Sequence, residues 1–135
     1  MSKPTITIDG TKFANLAEFF SHFQAQALGG AKWGTNLDAF NDVLRGGFGS
    51  PEGGFILVWE NHELSKDQLG YKETQRQLRR RLKSCHPENI ARVQAELALA
   101  ASGHGSTVYD WLLGIIRTHG PGGEEQEDGI ELVLR

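Results

Sequence analysis

Cysteine is nearly absent from this sequence, in which Cys85 is the only one among 135 residues. A single thiol excludes an internal disulfide and a cysteine-rich zinc site, and we expect Cys85 to be an incidental residue at a helix end. No apolar run approaches the roughly 18 residues that a membrane-spanning helix needs, and the start has no apolar signal-peptide core. These absences predict a protein that acts in the cytoplasm.

An excess of basic residues is also missing. Lysine and arginine together number 14 against 17 acidic residues, which gives a formal net charge of -3. This balance argues mildly against general affinity for nucleic acids or membranes and in favour of a basic partner. Because 39% of the residues are hydrophobic, the chain can form a core, and we expect a single domain over residues 1–135.

Patterns typical of catalysis and metal binding are lacking as well. The five histidines show no H-E-x-x-H or related ligand spacing, and no serine lies in a G-x-S-x-G elbow. Asp38 and Asp42 are candidates for an acid–base pair, but the sequence supplies no third group to act with them. We therefore expect neither an enzyme nor a bound metal or cofactor.

The sequence does contain an alternation of strand and helix patterns. The unbroken apolar run Phe55–Trp59 is typical of a strand buried on both faces, so we expect it to be central in a parallel sheet. Flanking strands are predicted at 4–9 and 130–134. Helices are predicted at 16–28, with Asn15 as the cap, at 71–85, at 87–101, and from a Ser106 cap to about 119. We also expect a short turn capped by Ser65 and a flexible acidic loop over 122–129.

The segment 65–105 has a different composition from its surroundings. Its two helix patterns predict a helical hairpin inserted into the domain, with one apolar side formed by Ile90, Val93, Leu97 and Ala101. Between residues 76 and 83, the first helix carries five basic residues, which are Arg76, Arg79, Arg80, Arg81 and Lys83. Two interpretations remain for them, a solvated helix face or contact with RNA phosphates, although the arginine cluster itself lacks the aromatic residues that stack on bases.

The stretch from Trp33 to Leu44 combines an aromatic residue, a helix start and two acids. Asn36 is a strong N-cap, so a helix is predicted to begin at Leu37. At about 100° per residue, the apolar positions fall on one face, and Asp38 and Asp42 share the opposite one. From these residues alone, the two acids could form either a solvated acidic face or a binding surface.

Set within the order of strands and helices above, Trp33-Gly34-x-Asn36-Leu37-Asp38-Ala39-Phe40-x-Asp42-x-Leu44 resembles the signature of the barstar family of ribonuclease inhibitors. The resemblance covers residues 4–64 well and residues 106–134 in pattern only. It implies an α/β fold in which a small three-stranded, mostly parallel sheet packs against helices. It also implies an inhibitor that acts as a monomer.

The same resemblance implies a binding site. In the family, the loop and the helix after it plug the basic active site of a ribonuclease, with acids in place of RNA phosphates. Asp42 would be the central contact and Asp38 the second. The remaining partner-binding positions are Trp33, Gly34, Asn36, Asn41 and Gly46.

Three positions depart from the family pattern. Lys32 stands where the family has an aromatic residue, Asn41 where it has a tryptophan, and Thr118 near where it has a glutamate. One of the loop acids Glu124, Glu125, Glu127 and Asp128 is a candidate to replace that glutamate. We therefore expect another ribonuclease or a nuclease toxin as the partner. Alternatives are an interaction module that does not bind nucleases, and an RNA-binding protein that uses residues 76–83.

Overall fold

The computed structural model describes residues 3–29, 36–46, 51 and 53–135. Within these residues, three strands and six α-helices form the fold. The strands are β1 (Thr5–Asp9), β2 (Ile56–Glu60) and β3 (Glu131–Leu134). The helices are α1 (Leu16–Ala27), α2 (Leu37–Arg45), α3 (His62–Gln68), α4 (Tyr71–Ser84), α5 (Ile90–Ala101) and α6 (Val108–Thr118). Short 3-10 turns follow β1, precede α5 and precede β3.

The sheet has the order β1-β2-β3, and both strand pairs are parallel. In the register, Thr5 pairs with Ile56, which in turn pairs with Glu131. Leu57 and Trp59 of β2 are fully buried, as expected for a central strand that helices cover. The predicted α/β fold with a small three-stranded, mostly parallel sheet is confirmed.

Phenylalanine side chains join α1 to α2. Asn15 caps α1 as predicted, with its side chain accepting a hydrogen bond from the Glu18 N–H. The α1 residues Phe19 and Phe23 make edge-to-face contacts with Phe40 of α2, at centroid distances of 5.5 and 5.1 Å. Such aromatic pairs add to the burial energy of the rings. They hold one face of α2 in the core and leave the other towards solvent.

Two predicted helix caps are wrong. Ser65 does not begin a turn but lies inside α3, where its buried Oγ accepts a 2.9 Å hydrogen bond from the Trp59 indole. The cap of α6 is Thr107 rather than Ser106. Thr107 forms a capping box with Asp110, which requires an acid three residues after the cap, and Ser106 has no acid at that spacing.

The predicted helical hairpin is formed by α4 and α5, which pack around a small second hydrophobic cluster. Leu78, Val93 and Ala100 are its buried members, and Leu97 packs against it. Ile90 and Ala101, predicted on this apolar side, are exposed, because Ile90 is the first residue of α5 and Ala101 lies about 100° around the helix from the buried Ala100. The interpretation of 65–105 as an insertion stays a prediction.

A buried acid ties this hairpin to the rest of the molecule. Glu73 of α4 accepts hydrogen bonds from the Leu16 N–H at the start of α1 (2.8 Å), from Arg76 Nε (2.6 Å) and from Gln77 (3.0 Å). Burial acts to raise the pKa of Glu73, but these hydrogen bonds and the guanidinium charge outweigh it, so the pKa lies below its ordinary value. Glu73 is therefore held as a carboxylate.

No helix in the described part of the chain is long and apolar enough to cross a membrane.

Candidate functional site

The start of α2 is built as the sequence predicts. Asn36 has extended backbone angles, and its side chain accepts a 2.8 Å hydrogen bond from the Ala39 N–H. This bond satisfies one of the free first-turn N–H groups. Asp38, in the first turn of the helix, is exposed near the positive end of the helix dipole, which favours its negative charge.

The two faces of α2 differ sharply in burial. Phe40, Val43 and Leu44 lie in the hydrophobic core, whereas Asp38 and Asp42 are exposed. Like charges four residues apart destabilise a helix by about 0.2–0.5 kcal/mol, so the interaction of the two acids with each other does not stabilise α2. The predicted acidic face is present as an outward surface on a helix whose other face is fixed.

Asp42 is part of a clamp of three charged residues, which we define as Asp42, Arg45 and Glu125. Arg45 Nη1 donates a 2.7 Å hydrogen bond to Asp42 Oδ1. The same guanidinium binds Glu125 with two donors, Nε to Oε1 at 2.7 Å and Nη2 to Oε2 at 3.1 Å. Arg45 therefore gives its two-donor edge to Glu125 and one nitrogen to Asp42.

The charges of the clamp reinforce one another. The hydrogen bonds that Arg45 donates to Glu125, together with the charges of the carboxylates around it, raise the pKa of Arg45. The hydrogen bond from Arg45, together with its charge, lowers the pKa of Glu125 despite partial desolvation. Both groups therefore keep their charges over the physiological pH range.

A buried histidine connects α2 to the segment after α6. His119 is fully buried, its Nδ1 lies 2.6 Å from Asp128 Oδ2, and its Nε2 lies 2.6 Å from the side-chain oxygen of Asn41. A neutral ring can donate from Nδ1 to Asp128 and accept at Nε2. The donor to Nε2 is then the side-chain nitrogen of Asn41, because a half-turn of the Asn41 amide exchanges its oxygen and its nitrogen. His119 thus fixes Asn41 on α2 to Asp128.

His119, Glu125 and Asp128 also form the one group of potential metal ligands among the described residues. Asp128 lies at the Nδ1 edge of the His119 ring, whereas Glu125 lies 4.0 Å from Nε2, so the two carboxylates face different nitrogens of the ring. Arg45 already supplies a positive charge to Glu125. This geometry suits a hydrogen-bonded link better than a cation site.

The acidic segment, residues 122–129, makes backbone hydrogen bonds to the end of α6, and the flexibility predicted for it stays a prediction. The Glu125 N–H donates to the Thr118 carbonyl (2.9 Å), and the Ile130 N–H donates to the His119 carbonyl (2.9 Å). Backbone bonds to the end of α6 thus hold the segment at Glu125 and directly after Gly129. The Glu125 backbone is bonded to Thr118, the position at which the family glutamate was expected.

The structure brings together only part of the predicted site. Asn36, Asp38 and Asp42 lie along α2, and Gly46 ends it in a left-handed conformation (φ 102°) that favours glycine. Asn41 is half-buried and in contact with His119, so its predicted role towards a partner stays a prediction. Trp33, Gly34 and Lys32 lie outside the described residues.

Three residues of this surface were not predicted as partners of Asp42 and Asn41. Arg45 lies three residues after Asp42, a spacing that favours an ion pair on a helix, so this contact could have been predicted from the sequence. Glu125 and His119 are about 80 residues away along the chain, and no local pattern indicates their contacts with α2.

A groove of about 670 Å³ lies beside the start of α2. Asp38 lines it together with Arg80 and Arg81 of α4, and with Trp111 of α6. The Arg81 guanidinium lies 5.5 Å from the centre of the Trp111 ring, within the range of a cation–π contact. The arginine cluster, which has no aromatic residue of its own, therefore contacts one on α6.

Comparison with known proteins gives one family. The model of that family, described as "Barstar (barnase inhibitor)", matches residues 3–94, which is more than half of the chain. The match includes β1, α1, α2 and β2, and it continues through α4 into α5. No curated protein matches the chain. The sequence match and the parallel three-stranded sheet agree with the predicted resemblance, and the chain belongs to the barstar family.

Proposed function

We propose that this protein inhibits a ribonuclease, or acts as the immunity protein to a nuclease toxin, by placing α2 in the basic active site. The observation that carries the proposal is the pair of exposed carboxylates, Asp38 and Asp42, on a helix whose opposite face is buried. Trp33 and Gly34, in the loop before α2, would contact the same enzyme, and the complex would form in the cytoplasm.

The chemistry of the surface fits such a partner. Arginine, lysine and histidine side chains that bind RNA phosphates also form strong, charge-assisted hydrogen bonds with carboxylates. A partner that supplies cations next to Asp38 and Asp42 converts their mutual repulsion into attraction. Opposite potentials on the two proteins would also speed their association, and this gain falls as salt is added.

The fixed position of α2 favours tight binding. The Asn36 cap and the burial of Phe40 hold the helix in place before any partner arrives. A prearranged carboxylate loses little conformational entropy on binding, so more of the contact energy contributes to affinity. Inhibition then needs no chemical step by this chain, because an occupied cleft excludes RNA.

Inhibition of barnase, followed with a fluorogenic RNA substrate, is the first test, and other small ribonucleases and nuclease toxins extend it. We expect Asp42→Ala to weaken inhibition by about 2–5 kcal/mol, a range of which the barnase–barstar complex is itself the reference case. Asp38→Ala should have a smaller effect. Asp67→Ala removes the same charge from an exposed site on α3 and serves as the matched control. Equal inhibition by the wild type and Asp42→Ala would refute the proposal.

RNA binding by the arginine helix is the rival with some structural support, since Arg80 and Arg81 line the groove that Trp111 also lines. Arg76, however, is bound to Glu73. A gel-shift assay with single-stranded RNA distinguishes RNA binding from nuclease inhibition. Binding that is lost when Arg79, Arg80 and Arg81 are changed to Ala, with no nuclease inhibited, would favour the rival. Binding to a protein other than a nuclease would favour an interaction module.

A further inference from the structure

The clamp places a positive charge directly beside the proposed central contact. The Arg45 guanidinium is bonded to Asp42 Oδ1 in the same way that an arginine of a nuclease would be. Among the described residues, Oδ2 of Asp42 has no hydrogen-bond donor, and 54% of the side chain is exposed. Arg45 thus occupies one oxygen of the carboxylate and leaves the other to a partner.

Glu125 decides how much of Asp42 is covered. A guanidinium prefers to give two parallel donors to one carboxylate, and in this protein that arrangement goes to Glu125. Without the Glu125 charge, the best remaining carboxylate for the two-donor edge of Arg45 is Asp42, three residues before it on the same helix. Both oxygens of Asp42 would then be engaged within the protein.

The position of Glu125 relative to α2 is itself fixed. Its backbone N–H is bonded to the end of α6, and 30% of its side chain remains exposed. Three residues further on, Asp128 contacts the buried His119, which also contacts Asn41 of α2. The acidic segment is therefore attached to α2 by two polar links, of which the clamp is the outer one.

We infer that Glu125 is a positioning residue for nuclease binding, which restrains Arg45 so that Asp42 keeps one oxygen free for the partner. The inference rests on the proposed function and adds a regulator of its central contact. Glu125 acts through Arg45 rather than by touching the nuclease. Its loss should therefore matter only in a protein that contains Arg45.

Binding of barnase by the full-length chain tests this dependence. Glu125→Gln should weaken binding about threefold to tenfold more than Glu124→Gln, which removes the same charge from an adjacent exposed position. In a chain that also carries Arg45→Gln, the two substitutions should have equal effects. A Glu125→Gln loss that persists in the Arg45→Gln background, or that never exceeds the Glu124→Gln loss, overturns the inference.

A crystal structure of the Glu125→Gln variant tests the same point without a partner. The inference predicts that both donors of the Arg45 edge turn to the Asp42 carboxylate. Arg45 that stays on residue 125, or that points into solvent, contradicts it. If neither barnase nor any other ribonuclease or nuclease toxin tested binds the wild type, the proposed function fails, and this structure still decides the role of Glu125.

Discussion

Replacing His119 by phenylalanine should destabilise the protein through lost hydrogen bonds rather than lost volume. The side chain is fully buried, and phenylalanine supplies a ring of similar size, so the cavity term is small. The substitution removes both ring nitrogens. Asn41 and Asp128, each 2.6 Å from one of them, then lose their buried partner.

The expected loss follows from those two groups. A polar group left unsatisfied in the interior costs about 1–3 kcal/mol. Asp128 retains 18% of its side-chain exposure and Asn41 is also only partly buried, so both groups recover part of this cost from water. The free energy of unfolding of His119→Phe should therefore fall by about 2–4 kcal/mol, a large share of the roughly 5–15 kcal/mol typical of a domain.

Urea denaturation at pH 7, with the slope of the transition checked for constancy, measures this change. His104→Phe is the control, since His104 is exposed and its ring contacts only the nearby Ser102 hydroxyl among the described residues. The control should change stability by less than about 0.5 kcal/mol. If His119→Phe costs no more than the control, the polar link between α2 and the acidic segment contributes nothing to stability.

Other consequences of the structure can be measured in the same way. Glu73→Gln should lower the free energy of unfolding by about 1–3 kcal/mol, against almost no change for exposed Glu88→Gln in urea denaturation. Because the folded pKa of Glu73 lies below its ordinary value of 4.5, the wild type should lose this contribution as pH falls through 4.5 to the folded pKa, and Glu73→Gln should show a flatter profile. Burial lowers the pKa of His22 below 6.5, so part of the stability should be lost as pH falls below 6.5, and His22→Gln should reduce that dependence. Gly54→Ala should lower the free energy of unfolding by about 1–3 kcal/mol, more than Gly53→Ala does, and thermal melts would measure the difference. Both glycines have positive φ, but only at Gly54 would a Cβ meet backbone oxygens.

Local patterns predicted the elements that local forces determine. The Asn15 and Asn36 caps depend on residues within one helical turn, and the structure shows both. The apolar run at 55–59 predicted a central strand because only a strand covered on both faces carries so few polar residues. The outward position of Asp38 and Asp42 followed from helical periodicity alone.

Long-range contacts account for what the sequence did not reveal. Ser65 has the character of a cap, but it lies inside α3, where its hydroxyl is the buried acceptor for the Trp59 indole. Glu125 stands among several acids in a glycine-rich segment, where nothing local separates it from Glu124. Only the folded chain shows that one of the two faces Arg45.

The most direct test of the central claim compares the wild type with Asp42→Asn as inhibitors of the same ribonuclease at two salt concentrations. The substitution keeps the shape of the side chain and removes its charge. We expect the inhibition constant of Asp42→Asn to rise at least tenfold, equivalent to about 1.4 kcal/mol, and its salt dependence to weaken. An unchanged inhibition constant for Asp42→Asn would contradict the account of α2 as a phosphate-mimicking inhibitor helix.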